Sequence, residues 1–278
     1  MEKLKARKSP ITFSILICNY NYGNFVGEAI LSAINQDYPS DQFEVIVVDD
    51  GSTDHSIDEI KKFKTYPNLK KIYQENIGQL AAFKSALHVS KFEWICLLDS
   101  DDLFMKNKLK RVAQFINSLN KDESFICHNL TMSDDRYKIT EDWFKRTRIT
   151  TNQATVFDYN SSYPFTVPCG LIFRSWVLRA LLEQIHPDDW KRGADNPLVW
   201  GAFILSGRIK YLHETLATYR IHGNNHFMGS DNSGFMPKIN PLDRWPKLID
   251  FIERLNIKSD NSNEIQVRRK KLLSNLQC

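Results

Sequence analysis

Apolar residues along the first hundred positions alternate between two periods. Ile11–Cys18, Phe43–Val48, Leu69–Tyr73 and Phe92–Leu98 are short continuous apolar runs rich in β-branched residues, and they read as buried strands. Between them apolar residues recur at helical spacing: Val26, Ala29, Ile30, Ala33 and Ile34; then Ile57, Ile60 and Phe63; then Leu80, Phe83 and Leu87. A fourth stripe, Leu109, Val112, Ala113, Ile116 and Leu119, follows the last of these strands. Turn-forming residues punctuate the pattern at Asn19–Asn24 and Asp49–Ser52, and both clusters suit helix caps. Strands that are apolar throughout are buried on both faces, and strand–helix alternation is the mark of βαβ units. The pattern predicts an α/β fold with a mainly parallel, Rossmann-like sheet flanked by helices.

Beyond Phe125–Cys127 the rhythm changes. Residues 129–165 are polar and aromatic with weak periodicity and read as loops and short elements. Gly170–Phe173 reads as a strand, Trp176–Ile185 and Asp195–Leu205 as helices, and Arg208–Leu212 and Leu216–Ile221 as two further strands. From Pro241 the chain carries one or two amphipathic helices and a basic run, Arg268-Arg269-Lys270-Lys271. Without repeats or a low-complexity linker, the expected organisation is one domain over residues 1–227, divided near 128, and a helical tail over 228–278.

Composition narrows the class but not the chemistry. At 278 residues, 42% hydrophobic and 25% charged, the chain has ordinary globular composition, which excludes a disordered polymer. The balance of 37 basic and 33 acidic residues leaves +4, too weak a field for a dedicated nucleic-acid binder. The cysteines, at 18, 96, 127, 169 and 278, show neither a C-x-x-C pair nor metal-site spacing, and fit buried thiols in a reducing compartment. The start of the chain lacks a signal-peptide pattern, and no apolar run approaches the ~18 residues that span a bilayer. A cytoplasmic location is the expectation.

Chemistry enters at the strand ends. In open parallel sheets, ligands bind beyond the carboxyl ends of the strands. Three of the first four strands end in polar clusters: Asn19-Tyr20-Asn21, Asp49-Asp50 and Asp99-Ser100-Asp101-Asp102. Three carboxylates within four residues repel one another unless a cation sits among them, and carboxylate oxygens are hard ligands suited to Mg2+ or Mn2+. Plainer roles exist: Asp102 suits the N-cap of the helix that follows, and Asp49–Ser52 a turn.

Taken together, the clusters resemble the family 2 glycosyltransferases of the GT-A fold. The pieces run in family order: SILICNYN (Ser14–Asn21), VVDDGSTD (Val47–Asp54), ENIGQLAAFKSAL (Glu75–Leu87), LLDSDDLF (Leu97–Phe104), PCGLIFRS (Pro168–Ser175), DDWKRGADNPL (Asp188–Leu198) and YRIHGNN (Tyr219–Asn225). The resemblance implies transfer of a sugar, with inversion, from a nucleotide diphosphate sugar (a uridine diphosphate sugar in the first instance) to an acceptor hydroxyl. It implies a nucleotide-binding half over 11–128 and an acceptor-side half over 129–227.

The implied donor site comprises Tyr20 against the base, Asp50 accepting from the base N–H, Asn21, Ser100, Lys84 and Arg220, and Gly78, whose missing side chain lets backbone approach the ligand. Asp101 and Asp99, joined by His222, would hold Mn2+ or Mg2+. Asp195 would be the general base, although the Glu that often precedes it in the family is Ala194 here, and Asp195 also suits a helix N-cap. Asp188 and Asp189 are expected to be solvated. Trp176, Trp190 and Trp200 are candidates to stack on an acceptor sugar, with core packing favoured for Trp176 and Trp200. The implied acceptor is a saccharide, free or lipid-linked as in surface-polysaccharide assembly, with no nucleic-acid partner. The basic tail, flanked by Val267, Leu272, Leu273 and Leu276, offers a contact to the inner face of an anionic membrane. A non-catalytic sugar-nucleotide-binding domain and, more remotely, a sugar-nucleotide pyrophosphorylase are the competing readings. The residues specify neither the sugar, the linkage nor the oligomeric state.

Overall fold

A computed structural model describes residues 9–134, 140–158, 164–186, 190–191, 193–223, 225, 228–231, 234–237, 245–256 and 262–276. The four apolar runs form β1 (Phe13–Asn19), β2 (Phe43–Asp50), β3 (Leu69–Gln74) and β4 (Trp94–Asp99). They pair in parallel in the order β3-β2-β1-β4, with Asn19 opposite Asp49 and Cys18 opposite Asp99. The three polar strand ends therefore emerge side by side at one edge. The helical stripes form α1 (Gly23–Ile34), α2 (Ser56–Lys61), α3 (Gln79–Val89) and α4 (Lys108–Ser118), with the stripe residues of α1, α3 and α4 turned into the core. A two-residue strand, β5 (Leu103–Phe104), lies between β4 and α4.

The second half extends the same sheet. β6 (Phe125–Asp134), β9 (Leu171–Arg174) and β10 (Arg208–Ile221) continue it as β4-β9-β6-β10-β5; β7 (Thr140–Asp142) pairs with β6, and β8 (Gln153–Thr155) with β10. β9 runs antiparallel to both β4 and β6, while β6 and β10 run parallel along most of their length, so the sheet is mixed but mainly parallel. α5 (Trp143–Thr147), α6 (Ser175–Leu182) and α7 (Asp195–Ser206) pack around this half, and β11 (Met228–Asp231) and β12 (Gly234–Pro237) form a separate ribbon.

Two expectations are corrected here. The segment after Cys127 is not loop: β6 continues through His128, Asn129, Thr131, Ser133 and Asp134, because neighbours on both sides pair its backbone and cover its polar side chains. The two expected strands before and after His213-Glu214-Thr215 are one strand, β10. The polar interruption appears instead as register shifts between Leu212 and Thr215 and between Thr215 and Thr218.

Helix ends are secured by side chains from distant segments. Asp54 accepts from the Gly23 amide at the start of α1 (2.9 Å) and from the Ser56 amide at the start of α2 (2.9 Å). At the other end of the fold, α7 stops at Gly207 in the left-handed region (φ 71°). Arg268 of α9 (Ser262–Leu276) lies over that glycine and donates to the carbonyls of Leu205 (2.8 Å) and Ile204 (3.3 Å). Arg269 donates to the carbonyls of Leu255 (2.7 Å) and Glu253 (3.2 Å), at the end of α8 (Trp245–Arg254).

These contacts change the reading of the tail. Two of its four consecutive cations neutralise helix C-termini, and Leu272 and Leu276 are buried in the core with Ile265, contributing about 1.5–3 kcal/mol each through burial. Lys270, Lys271 and Val267 remain exposed. The amphipathic face thus meets protein. No helix among the described residues is long and apolar enough to cross a membrane.

Removing the guanidinium in Arg268→Ala is expected to cost about 1 kcal/mol in urea unfolding, the scale of a C-terminal helix cap. Asp54→Ala should cost roughly 1–2 kcal/mol, since two helix starts lose an acceptor. Burial disfavours the Asp54 carboxylate, but hydrogen bonds from Ser56 and Gly23 outweigh it and hold the group below its ordinary range. A lowered folded pKa makes this stabilisation complete above the unfolded value of ~3.9 and lost as pH falls through the folded value. The Asp54→Ala difference should therefore shrink in acid, as measured by unfolding at pH 7 and below pH 3.

Candidate active site

The carboxyl edge of the sheet is organised by interlocking loops. Asn19 donates to Asp49 (2.8 Å) and Ser52 (3.2 Å), and Asp49 in turn accepts from the Ser52 amide (2.9 Å) and hydroxyl (2.7 Å). Asn21, in the left-handed region at φ 58°, accepts from the Thr53 amide at 2.7 Å. These bonds lock the β1 and β2 loops together, so Asn21 serves the loop framework. Tyr20, 39% exposed, stands on the open side of that framework.

Asp50 is buried and heavily used. Its Oδ1 accepts from Gln74 (2.7 Å) and the Ile77 amide (3.1 Å), and its Oδ2 from the Gly78 amide (2.8 Å). Gly78 adopts φ 113°, and a Cβ there would lie 2.7 Å from Cα of Lys191. The backbone that approaches Gly78 is therefore that of Lys191, a closure of protein on protein. Lys84 is exposed on α3.

The β4 loop carries the charge. Asp99, Asp101 and Asp102 each present an oxygen within 4.8 Å of the others. Burial first, then the charges of Asp101 and Asp195, push the Asp99 carboxyl well above its usual range, against a hydrogen bond from Gln79. Burial and the charges of Asp101 and Asp99 likewise raise Asp102, with the Cys169 thiol and the Arg220 amide acting in opposition. Asp102 does not cap α4, which begins at Lys108; its Oδ1 accepts from the Arg220 amide at 3.0 Å and ties the loop to β10. Ser100 is buried between these carboxylates in the chain.

β10 returns a second set of groups to the same loop. His222 Nε2 lies 3.2 Å from Oδ2 of Asp101, and Asn225 donates to that oxygen at 3.3 Å. The His222 ring stacks on Phe25 at 4.3 Å. Arg220, also buried, donates through Nε to the Asp101 carbonyl, pairs with Glu28 and lies over the Phe25 ring. Its Nη2 is buried without a hydrogen-bond partner among the described residues. Asp101, Arg220 and His222 thus meet.

Asp195 opens α7, with Ala194 at the cap position, so it occupies the first helical turn rather than the cap. Its charge is felt at Asp99. Asp188 and Asp189 lie outside the described residues. Among the tryptophans, Trp190 and Trp200 are 4% and 3% exposed and belong to the core, whereas Trp176 is 50% exposed. The expectation of core packing for Trp176 is therefore reversed, but Trp176 lies two residues after Arg174, which pairs with Trp94 at the end of β4 opposite the Asp99 loop.

Two residues in this region carry no sequence signal of their role. Gln79 donates to Asp99 Oδ1 (2.9 Å) and accepts from the Ala194 amide (3.2 Å). Lys108, fully buried, donates to the Cys169 carbonyl at 2.8 Å and lies over the Phe104 ring, and burial lowers its pKa to about 8. Gln79 lies within the Glu75–Leu87 segment without a role implied there, and both residues open helices, where amphipathic spacing says only which face is inward.

Comparison with known proteins agrees with this architecture. A model of glycosyl transferase family 2 matches residues 14–182. An uncharacterized glycosyltransferase of Nostoc is 32% identical over 224 residues, covering 78% of this chain and 67% of its own length. The poly(ribitol-phosphate) β-N-acetylglucosaminyltransferase TarS of Staphylococcus aureus is 27% identical over 220 residues, but the match spans only 37% of TarS. In structure, residues 1–349 of TarS bound to UDP-GlcNAc superpose with a TM-score of 0.67 at 21% identity, over 94% of this chain and 72% of that one. The mannosyltransferase PcManGT of Pyrobaculum calidifontis, with GDP-Man and Mn2+, gives 0.60 at 17% identity over 95% and 72%. A match running from the first strand to α6, across more than half the chain, makes this protein a glycosyltransferase of family 2, built on the GT-A fold.

Proposed function

We propose that the chain transfers a sugar from a uridine diphosphate sugar to an acceptor hydroxyl with inversion, using Asp195 as general base. The observation that carries this reading is the Gln79 side chain joining Asp99 (2.9 Å) to the amide of Ala194 (3.2 Å), the residue before Asp195, which brings the start of α7 to the β4 loop from the far half of the chain. The acceptor oxygen attacks the anomeric carbon, its proton passes to the Asp195 carboxylate, and the bond to the diphosphate breaks with its electrons on the departing oxygen. Tyr20 presents an aromatic face to the base. Asp50 Oδ2 holds one amide and keeps lone-pair capacity for the base N–H. Lys84 and Arg220 add positive charge toward the diphosphate, and Asn21 and Ser100 shape the loops around it.

The carboxylate cluster fits a divalent cation: the donors are hard oxygens, close together, and destabilised by one another. Asp101 and Asp99 would hold Mn2+ or Mg2+, with His222 beside Asp101. When bound, the cation supplies positive charge against the leaving diphosphate. The acceptor is proposed to be a saccharide, free or lipid-linked; in the lipid-linked case Lys270 and Lys271 are the tail cations open to an anionic surface. The β-N-acetylglucosaminyltransferase TarS, seen in complex with UDP-GlcNAc, supports a uridine diphosphate donor.

In a thermal-shift panel of UDP, GDP, CDP and dTDP with Mn2+, UDP should raise the melting temperature most. Release of UDP from its cognate sugar donor should stop in excess chelator and return with Mn2+. Asp195→Asn and Asp101→Ala should each lower that release by about 10²–10⁴-fold, the usual scale for removing a general base or comparable charge stabilisation. Wild-type rates in both variants would refute the site assignment, and donor binding without turnover would favour a non-catalytic binding domain.

A further inference from the structure

We propose that Gln79 is a positioning residue that couples the donor-side carboxylate Asp99 to the start of the helix bearing Asp195, an inference that rests on the roles given to those two residues above. Gln79 occupies the first position of α3. Its Nε2 donates to Asp99 Oδ1 at 2.9 Å, and its Oε1 accepts from the Ala194 amide, one residue before Asp195, at 3.2 Å. Its own backbone amide donates to the Lys191 carbonyl at 3.1 Å. The preceding glycine allows this approach, since any side chain at position 78 would strike the Lys191 backbone.

One side chain thus spans two segments that the chain separates widely, at the place where the proposed donor and acceptor sides meet. The chemistry of the bridge is selective. It needs a donor toward a carboxylate and an acceptor toward a backbone N–H on the same planar group, which the carboxamide of Gln79 provides. Glutamate has the same shape but loses the donor and sets a like charge against Asp99. Leucine has similar bulk and loses both bonds. The two substitutions therefore separate the two arms of the bridge.

The test has an exchange arm and a kinetic arm, both on the full chain. Amide exchange at Ala194, read by NMR without ligand, should accelerate at least tenfold in Gln79→Leu and stay within threefold of wild type in Gln79→Glu, while amides of α4 are unchanged in both. Equal exchange at Ala194 in wild type and Gln79→Leu would overturn the proposal, as would acceleration throughout the protein. The kinetic arm follows UDP release from UDP-GlcNAc in Mn2+ for Gln79→Leu, Asp195→Asn and the double variant. Positioning through Asp195 predicts that Gln79→Leu lowers kcat at least tenfold with a smaller change in donor KM, and costs less than threefold once Asp195 is already Asn. Fully multiplicative losses would show that Gln79 acts independently of the base and would refute the coupling. Asp195→Asn at the wild-type rate would instead remove the base assignment while leaving the exchange result to judge the bridge. If wild type does not turn over this donor, the exchange outcome alone decides.

Discussion

The organisation of this protein depends on holding three aspartates at the end of one buried strand. Asp99, Asp101 and Asp102 emerge together at the end of β4, and burial with the neighbouring carboxylates disfavours the charged forms of Asp99 and Asp102. The surrounding fold answers each of them separately. Asp102 receives the Arg220 amide from β10, Asp101 meets His222 and Asn225 beyond the end of that strand, and Asp99 receives Gln79 from α3. No neighbour among these is local in sequence. The long strand β10 and its parallel partner β6 accordingly do more than enlarge the sheet, because they deliver the groups that fix the shape of the β4 loop.

The same economy appears where helices end. Asp54 serves two helix starts at once, and Arg268 and Arg269 satisfy the carbonyls that terminate α7 and α8. Helix termini leave backbone groups without partners, so a charged side chain placed there gains both hydrogen bonds and a favourable dipole interaction. The tail thus binds the C-terminal end of the same helix whose first turn holds Asp195. A basic run that suggests an anionic partner from its composition is thus partly consumed inside the protein.

Much of the first half was legible in the residues. Continuous apolar runs separated by helical stripes point to parallel βαβ units, whereas the order β3-β2-β1-β4 is decided by the tertiary packing. The convergence of Asn19, Asp49 and Asp99 at one edge was likewise readable, because strands in parallel register must end together. The second half was less so. β6 beyond Cys127 is polar by composition and becomes a strand only because β9, β7 and β10 pair with it. The exposure of Trp176 and the burial of Trp190 have a similar reason: both are large aromatics, and only the packing of neighbouring elements decides which one is covered.

By itself, then, the sequence determined the α/β class, the edge at which chemistry gathers, and the identities of the carboxylates there, all of which follow from periodicity and from residue types with few other uses. The tertiary structure alone decided which partners those carboxylates meet: Asp102 with β10, Asp50 with the amides of Ile77 and Gly78, and Gln79 between Asp99 and Ala194. The physical reason is that hydrogen bonds are short and directional, whereas hydrophobic periodicity fixes only which face of an element is buried. Pairings across the sheet are set by register, crossings and closures that no local spacing encodes.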